Sequence, residues 1–586
     1  MVDFLRRRGA VFAVLAGLSM ALPSHVEAIS FDGFDLDDSS SDDDDDLDFD
    51  FDIGGPSVDD EDDGFAFDGF DLTDDAPDAG DAEHRALDDA ITRMERGELA
   101  AAAVAFHDIL TNPAAAELHH QVHYLLARSF FDMGMFYSSL QLFNQILIVG
   151  PAHGYFDVSL EWLFHIGREM VNEAGILEYI AAYADYEFPA AYRGEFRYLL
   201  ARFHFARGRA LLEAGMQEEA DESFDESLRL LQQVGDDSVF YPRAVFLEGL
   251  HNYLTGRPQI AVERFQDVVR MLHPRRGRFT DSRVRNLAFM QLARIHFEHD
   301  QPGYAAFYYR RLPRGSEQWL QSLFESSWAY FRMGDYERSL GTMVTLHSPF
   351  FIHEYFPESL ILKAVIYYEN CRYPEAKMIV DEFEQVYGPV QVELARITAA
   401  RKTPTEYYEL LADVQRERRP DASRQVLQRI LRAALSDREF AAMNEAVQEV
   451  ESEIDKLRGS PSVLSRSGLA SQMLGELQDL RSDLIEKAGL MASAKLYAEM
   501  EALKELIGQG LRIRFETTAR EREFLEEQLQ AGGRLDVIRE YAYSVAVSDE
   551  ELYWPYDGEY WRDELGNYQY TLTRGCRDDR LSAGRE

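Results

Sequence analysis

Residues 121–151 constrain the fold of this chain most strongly, because they have the pattern of two amphipathic helices joined by a tight turn. Apolar side chains such as Tyr124 and Phe143 recur on one face of each predicted helix. Gly134 lies between the helices, where a residue without a Cβ atom permits a sharp reversal. Pro151 ends the second helix because it has no backbone N–H to donate. Such a pair cannot bury its apolar faces alone, so the sequence predicts further copies.

The same turn signal recurs eight times, at spacings of 34 to 44 residues. The predicted turn residues are Gly97, Gly134, Gly175, Gly215, Gly256, Asp300, Gly334 and Cys371. In seven of the eight copies the residue seven before the turn is small, the residue five after it is small, and the residue nine after it is large and apolar. Small residues let two helices approach closely, and the large one fills the space to the next pair. The copy around Gly175 departs at all three positions, which hold Arg168, Ile180 and Ala184.

These packing positions are clearest in AYFRMGDYERSLGTM around Gly334 and in YYENCRYPEAKMIV around Cys371. They resemble those of the tetratricopeptide repeat (TPR) family, and the resemblance covers residues 83–389. It implies an all-α fold, a TPR-like helical-hairpin solenoid of about eight repeats. The resemblance also implies that the first helices of the pairs line the concave side of a superhelix, where protein ligands bind. Spacings above 34 residues predict longer helices or loops than the family minimum.

Residues 1–28 have the pattern of a secretory signal peptide. Three arginines, Arg6 to Arg8, precede an apolar run of 13 residues from Ala10 to Leu22, and small residues follow at the cleavage spacing before Ala28. This run is too short for a comfortable membrane span. The sequence therefore predicts export, with no integral membrane span after signal cleavage.

Residues 29–82 are predicted to be a disordered acidic linker. Residues 31–81 contain 23 Asp and Glu and no Lys, Arg or His, within a chain of net charge −44. Such a segment repels itself and cannot bury enough apolar surface to fold. FDGFDL occurs twice in it, at Phe31–Leu36 and Phe67–Leu72, as a docking motif or as incidental aromatics in a spacer. Asp59–Gly64 is similar to a calcium loop but lacks its closing Glu, so specific calcium binding is not expected.

Arginines recur at fixed distances before the predicted turns. Those six or thirteen residues before a turn are Arg128, Arg202, Arg209, Arg243 and Arg294. If the register holds, they line a partner-binding groove, where a planar guanidinium suits an acidic or C-terminal peptide. The chain's own acidic linker, residues 29–82, is one candidate ligand. The alternative is that these arginines pair with nearby Asp and Glu. The acidic balance of the chain argues against nucleic-acid binding, which needs clustered cations.

Residues 390–549 are predicted to be additional helices. Gly468–Gln530 contains no proline and is rich in Leu, Glu, Lys and Arg. This composition favours long helices in a coiled-coil hairpin or in the seam of a homodimer. The two interpretations remain open from the sequence.

Residues 550–586 form a predicted aromatic cap and tail, which would cover the last helices. Within it, residues 568–572 alternate like a short strand. Cys371 and Cys576 are the only cysteines and are 205 residues apart, so the sequence predicts no disulfide between them.

No catalytic, cofactor or metal residues are predicted. His119 and His123 are four residues apart on a predicted helix, but HExxH and a third ligand are lacking, so a helix surface explains them. No phosphate-binding glycine loop or nucleophile elbow occurs either.

The sequence therefore favours a non-enzymatic scaffold that binds other envelope proteins or peptides. It is similar in layout to exported repeat proteins of Gram-negative motility or envelope-assembly machines, which implies a periplasmic location. The alternative is a peptidoglycan- or glycan-binding protein, or one similar to lytic transglycosylases. Those enzymes have a Gly-Leu-Met-Gln stretch in a compact catalytic domain, whereas here Gly489–Ala492 reads Gly-Leu-Met-Ala inside a predicted long helix.

Overall fold

The protein is all-helical throughout the residues that the structure describes. The computed structural model describes residues 81–170, 173–186, 188, 192–351, 354–416, 438–530 and 559–572. These residues contain no β-strand. The predicted signal peptide and most of the predicted acidic linker lie outside them, so those predictions remain untested.

The helices are mostly 10 to 22 residues long, with two exceptions of 27 and 63 residues near the C-terminus and two short ones. In chain order they are α1 (Asp81–Glu95), α2 (Leu99–Thr111), α3 (His119–Asp132), α4 (Phe136–Val149), α5 (Phe156–Glu169), α6 (Glu173–Ala182), α7 (Arg193–Glu213), α8 (Gln217–Leu231), α9 (Tyr241–Leu254), α10 (Pro258–Met271), α11 (Ser282–Glu298), α12 (Pro302–Tyr309), α13 (Trp319–Met333), α14 (Tyr336–Leu346), α15 (Pro357–Glu369), α16 (Tyr373–Ala399), α17 (Pro404–Arg416), α18 (Arg438–Gly459), α19 (Ser462–Ser465) and α20 (Gly468–Gln530).

Seven of the eight predicted turns are confirmed. In each, the predicted residue separates the two helices of a pair and has a φ between 57° and 78°. Glycine adopts this left-handed conformation at little cost, whereas Asp300 and Cys371 adopt it with a side chain present. The prediction at Gly175 is wrong, because Gly175 lies inside α6. Helix α5 ends at Glu169 and α6 begins at Glu173, so the break between the helices precedes Gly175.

The predicted packing positions are buried in the seven regular pairs. The small residues have no exposed surface at either position in the pairs that carry Ala or Ser. At two pairs a serine replaces alanine on the second helix, and its hydroxyl donates to the backbone of the first: Ser139 Oγ to Ala127 O at 2.9 Å, and Ser339 Oγ to Ser327 O at 2.7 Å. The small residues thus permit close approach, and these two serines add a hydrogen bond across the contact.

The pairs stack in chain order from α1 to α16, each helix against the next. Odd-numbered helices are the first helices of pairs, and even-numbered helices are the second. One large core runs from Leu87 through the stack to Ile513, and a smaller separate core between Leu200 and Leu247 joins α7, α8 and α9. The stack is therefore less tightly joined around α7 than elsewhere.

Helix α20 is a single helix of 63 residues, about 95 Å long at 1.5 Å per residue. Its residues do not form a coiled-coil hairpin, one of the two arrangements that the sequence left open. Instead α20 packs along α18, α17, α16 and α15. Gly489 lets it approach Pro404, where a Cβ atom would lie 1.9 Å from the carbonyl oxygen. Farther along, Arg514 pairs with Glu384 at 2.9 Å. The leucine-rich face of α20 is thus buried within its own chain, and α16 continues past Pro389 to Ala399 beneath it.

The C-terminal helices also contact the first pairs of the stack. The carboxylate of Glu453 in α18 accepts hydrogen bonds from the backbone N–H groups of Tyr137 and Ser138, at 2.9 and 2.7 Å, at the N-terminus of α4. Lys456 donates to the carbonyl of Gly134 at 3.0 Å, and α19 packs against α2. Helix α20 contacts α18, and it also contacts α15 and α16 of the last pair. The packed helices therefore form a closed path that leads from the first pairs through the stack to the last pair and back through α20 and α18.

The tail segment 559–572 packs on α13 and α14 and not on the last helices. Gly566 donates its N–H to Thr345 Oγ1 at 2.8 Å, and Tyr570 donates its N–H to the carbonyl of Glu337 at 3.2 Å. Gly341 makes this seat possible, because a Cβ atom there would lie 1.9 Å from the carbonyl oxygen of Tyr568. The segment is irregular, so the predicted short strand is wrong.

Cys371 is disulfide-bonded, which contradicts the sequence prediction. The only other cysteine in the chain is Cys576, which lies outside the described residues. The tail segment approaches the pair that contains Cys371, because Tyr367 donates its hydroxyl to Tyr570 at 3.1 Å. Sequence separation gave no sign of this proximity, because the contact joins segments 203 residues apart.

We expect the small packing positions to be intolerant of a methyl group. In Gly249→Ala the new Cβ atom would lie 2.7 Å from the ring of Phe265, so we expect a loss of about 1–2 kcal/mol in the free energy of unfolding. Gly475→Ala, in the interior of α20 with no atom within 4 Å of the new Cβ, is the matched control and should gain up to about 1 kcal/mol. Urea unfolding measures both. Equal effects would contradict the packing rule.

Candidate functional site

Two cavities flank helix α7, where the stack is irregular. Helix α6 has only ten residues and ends at Ala182, and α7, which has 21, begins at Arg193. One cavity lies on the side of the first helices α5 and α9, and the other on the side of the second helices α6 and α8. They are named here the first-helix pocket and the second-helix cleft.

The first-helix pocket, of about 240 Å³, gathers three arginines from three successive first helices. These are Arg168 of α5, Arg202 of α7 and Arg243 of α9. Its apolar walls come from α5, α6, α7 and the residue before α9. They include Leu163, Phe164, Ile176, Leu177, Tyr198, Leu199 and Phe240. The only carboxylate among the described lining residues is Glu195, so arginines outnumber carboxylates three to one.

Hydrogen bonds and ring contacts hold the three arginines in place. Arg168 donates to Glu195 at 2.6 Å. Arg243 donates to Asp281, outside the pocket, at 3.0 Å. The guanidinium of Arg202 lies over the ring of Tyr198, 5.8 Å from its centre. These contacts orient the planar groups, and Glu195 and Asp281 offset the charges of Arg168 and Arg243. Convergent guanidinium groups suit an anionic ligand.

The structure brings together two of the five predicted groove arginines, Arg202 and Arg243. The other three lie outside this pocket. Arg128 pairs with Asp132 at 3.8 Å, Arg209 pairs with Glu213 at 3.6 Å, and Arg294 pairs with Glu325. The alternative interpretation, pairing with nearby Asp and Glu, describes Arg128 and Arg209, whose partners lie four residues away on the same helix. Arg294 instead pairs with a buried carboxylate of another helix. Whether any of the five binds a partner stays a prediction.

Arg294 belongs to a buried network. It donates to both carboxylate oxygens of Glu325, which also accepts from Tyr309 at 2.8 Å and from Gln321 at 2.8 Å. Burial raises the pKa of Glu325, but Arg294 opposes this and holds the pKa below its ordinary value. Removing either partner would leave an uncompensated charge, so this pair has a structural role.

The second-helix cleft is larger, about 990 Å³, and no residue of it was predicted as a site from the sequence. The aromatic residues that line it are Tyr186, Phe188, Phe196 and Phe203. The cationic residues are Arg193, Arg197, Arg207 and Arg229, with His204 beside them. One sequence feature pointed to this region: the copy around Gly175 has Arg168 at a position where the other seven copies have a small residue.

A cluster of histidines joins α3 to the loop before α5. The ring of His153 stacks on that of His120 with centres 4.1 Å apart, and His123 lies edge-on at 6.0 Å. His119, the other predicted member, faces away and contacts the carbonyl of Asn112 at 3.1 Å. Burial, then the neighbouring His120 and His123, lowers the pKa of His153 to about 4. His153 is thus neutral and packed at pH 7.

Among the described residues, no three His, Cys, Asp or Glu side chains are arranged to hold a metal ion. Within the same part of the chain, no helix combines the length and the apolar character that crossing a bilayer requires.

In comparisons with known proteins, no family model matches this chain, and a search of the curated proteins found no match.

We expect the histidine cluster to destabilise the fold in acid. The unfolded chain binds a proton at His153 near pH 6.5, whereas the folded chain binds it only near pH 4, so stability falls as the pH is lowered through this window. Urea unfolding from pH 7 to pH 4.5 measures the slope. His153→Gln should reduce the slope, and His107→Gln, outside the cluster, should leave it unchanged. A slope in His153→Gln equal to that of the unsubstituted chain would contradict this account.

Proposed function

We propose that this chain is a non-catalytic scaffold that holds partner proteins in the envelope of a Gram-negative bacterium. In this proposal residues 1–28 direct export to the periplasm, the acidic linker is disordered, and the stacked pairs are a TPR-like solenoid. The partner supplies an acidic or C-terminal peptide, which binds in the first-helix pocket. A motility or envelope-assembly machine is the setting that the layout favours.

The observation that carries this proposal is the convergence of Arg168, Arg202 and Arg243. They come from three successive first helices, the surface that the repeat pattern assigns to ligands. A carboxylate entering the pocket can accept from Arg202 and from Arg243 while Glu195 stays paired with Arg168. Charge-assisted hydrogen bonds of this kind are worth about 1.5–3 kcal/mol each when shielded from water.

The residues that line the pocket suit the binding of a peptide and not a catalytic reaction. Its lining residues offer guanidinium groups, aromatic rings and aliphatic walls, and its one carboxylate is paired with an arginine. Tyr198 and Phe240 provide surfaces on which the side chain before a terminal carboxylate can pack. Affinity would then come from orientation and charge.

A homodimer through the C-terminal helices remains a second part of the proposal. On α20, Phe515 and Leu529 expose 77% and 76% of their surface, and Leu511 and Leu525 are also exposed. The spacings of four residues within the pairs 511 and 515, and 525 and 529, place each pair on one face of the helix. This face differs from the one that packs on α16, so it is available to a second copy.

We expect a partner to be captured at the first-helix pocket in cells. A photo-crosslinking phenylalanine analogue at Tyr198 should give a discrete protein adduct in the periplasmic fraction, identified by mass spectrometry. The double variant Arg202→Glu, Arg243→Glu should reduce this adduct at least tenfold, because two charge-assisted contacts become repulsive.

Two controls accompany this experiment. The same analogue at Met378, exposed on α16, should not give this adduct. Arg270→Glu, an exposed charge reversal on α10, should leave the Tyr198 adduct unchanged. An adduct of undiminished yield in the double variant, or the absence of the protein from the periplasm, would contradict the proposal.

A further inference from the structure

The second-helix cleft has an apolar interior and a basic rim. The residues of α7 that line the cleft recur every three or four positions from Arg193 to Arg207, so they lie on one face of the helix. Phe196, Leu200 and Phe203 of this face line the interior of the cleft. Leu230 of α8 and Phe188 complete the apolar surface.

The cleft exists because the second helix of the third pair is short. Helix α6 ends at Ala182, and the cleft wall on that side consists largely of the alanines Ala181, Ala182 and Ala184. Among the described side chains of α6, those that line the cleft are Glu178, Ala181 and Ala182, whereas Ile176 and Leu177 line the first-helix pocket. Phe196 and Phe203 are only half-buried, whereas Phe143 and Phe265, which fill the large packing position of regular pairs, have no exposed surface. Half-buried aromatic rings beside cationic side chains offer a ligand both apolar and polar contacts.

The charge of the cleft is opposite to that of the chain. Four arginines line it, against the three carboxylates of Glu178, Asp185 and Glu226, in a chain of net charge −44. Arg229 pairs with Glu226, and Arg197 donates to the carbonyl of Gln233 at 2.6 Å. Arg193 and Arg207 are exposed at the rim.

We propose that the FDGFDL segment at Phe31–Leu36 of this same chain binds the second-helix cleft. Its two phenylalanines are three residues apart, and an aspartate follows each of them. Phenylalanine rings suit the aromatic interior, and aspartates suit the arginines at the rim. A cleft of about 990 Å³ is large enough for both rings. The second copy, Phe67–Leu72, has the same chemistry.

The connection is long enough for binding within one chain. Forty-four residues separate Leu36 from Asp81, the first residue of α1. A flexible segment of this length spans about 35 Å on average and up to about 150 Å when extended. The cleft is six helices along the stack from α1, and packed helices are about 8–10 Å apart, so the path is at most about 60 Å.

This binding would leave the proposed partner site accessible. The cleft and the first-helix pocket lie on opposite sides of α7. Both are lined by residues of α6 and α7, but none of the described residues that line one also lines the other. In this proposal the linker segment Phe31–Leu36 binds in addition to the partner protein. The binding of the segment and the binding of the partner can therefore be tested separately.

The test is site-specific photo-crosslinking in the full chain. A photo-crosslinking phenylalanine analogue at Phe34 should form an adduct within a single chain, and mass spectrometry should map it to residues 193–207. The triple variant Arg193→Glu, Arg197→Glu, Arg207→Glu should reduce this adduct at least tenfold. Arg275→Glu, Arg276→Glu, Arg278→Glu, which reverses three exposed arginines before α11, is the charge-matched control and should retain it.

Three results would overturn the inference: no adduct at residues 193–207, equal yield in the two triple variants, or adducts only between different chains. Circular dichroism checks that the cleft variant is folded. The partner adduct at Tyr198 is a second check, because its persistence in a chain that has lost the Phe34 adduct separates this inference from the proposed function.

Discussion

The contact between Glu453 and the N-terminus of α4 is the constraint on which the rest of the structure depends. Stacked helical pairs contact only their neighbours, so the ends of such a stack are ordinarily far apart and its curvature can vary. Here a buried carboxylate from α18 accepts from two backbone N–H groups of α4 and from the hydroxyl of Ser138 at 2.5 Å. The partial positive charge of a helix N-terminus favours this arrangement. Together with α20, which reaches α15 and α16, it joins the first pairs to the last.

The contacts that join the first pairs to the last also explain the cavities around α7. A stack that is held at both ends cannot close a gap in its middle by bending freely. The short α6 therefore leaves cavities on both sides of α7, and the polar residues beside them are held by specific contacts such as Arg168 with Glu195. The same departure from the packing rule that interrupts the core thus produces both candidate binding sites.

Much of the stack could be predicted from the sequence because its determinants are local. A residue with a left-handed φ, such as Gly334, must lie between helices, and the positions of Ala127 and Ser139 follow from one hairpin. Contacts between distant segments could not be predicted. The pairing of α20 with α16, the seat of the tail at Gly341 and the disulfide at Cys371 each depend on residues more than 100 positions apart. The candidate site was only partly predictable, since Arg202 and Arg243 followed the pattern and Arg168 broke it.

The most direct test of the account asks whether α20 packs within its own chain. Lys377 of α16 and Glu521 of α20 form an ion pair, so a zero-length carbodiimide crosslinker should join them. Crosslinking an equal mixture of ¹⁴N- and ¹⁵N-labelled protein distinguishes pairs within one chain from pairs between chains. The account predicts that crosslinked Lys377–Glu521 peptides carry a single isotope label. Peptides of mixed label in statistical proportion would show that α20 packs on another copy, which would contradict the closed path of helices.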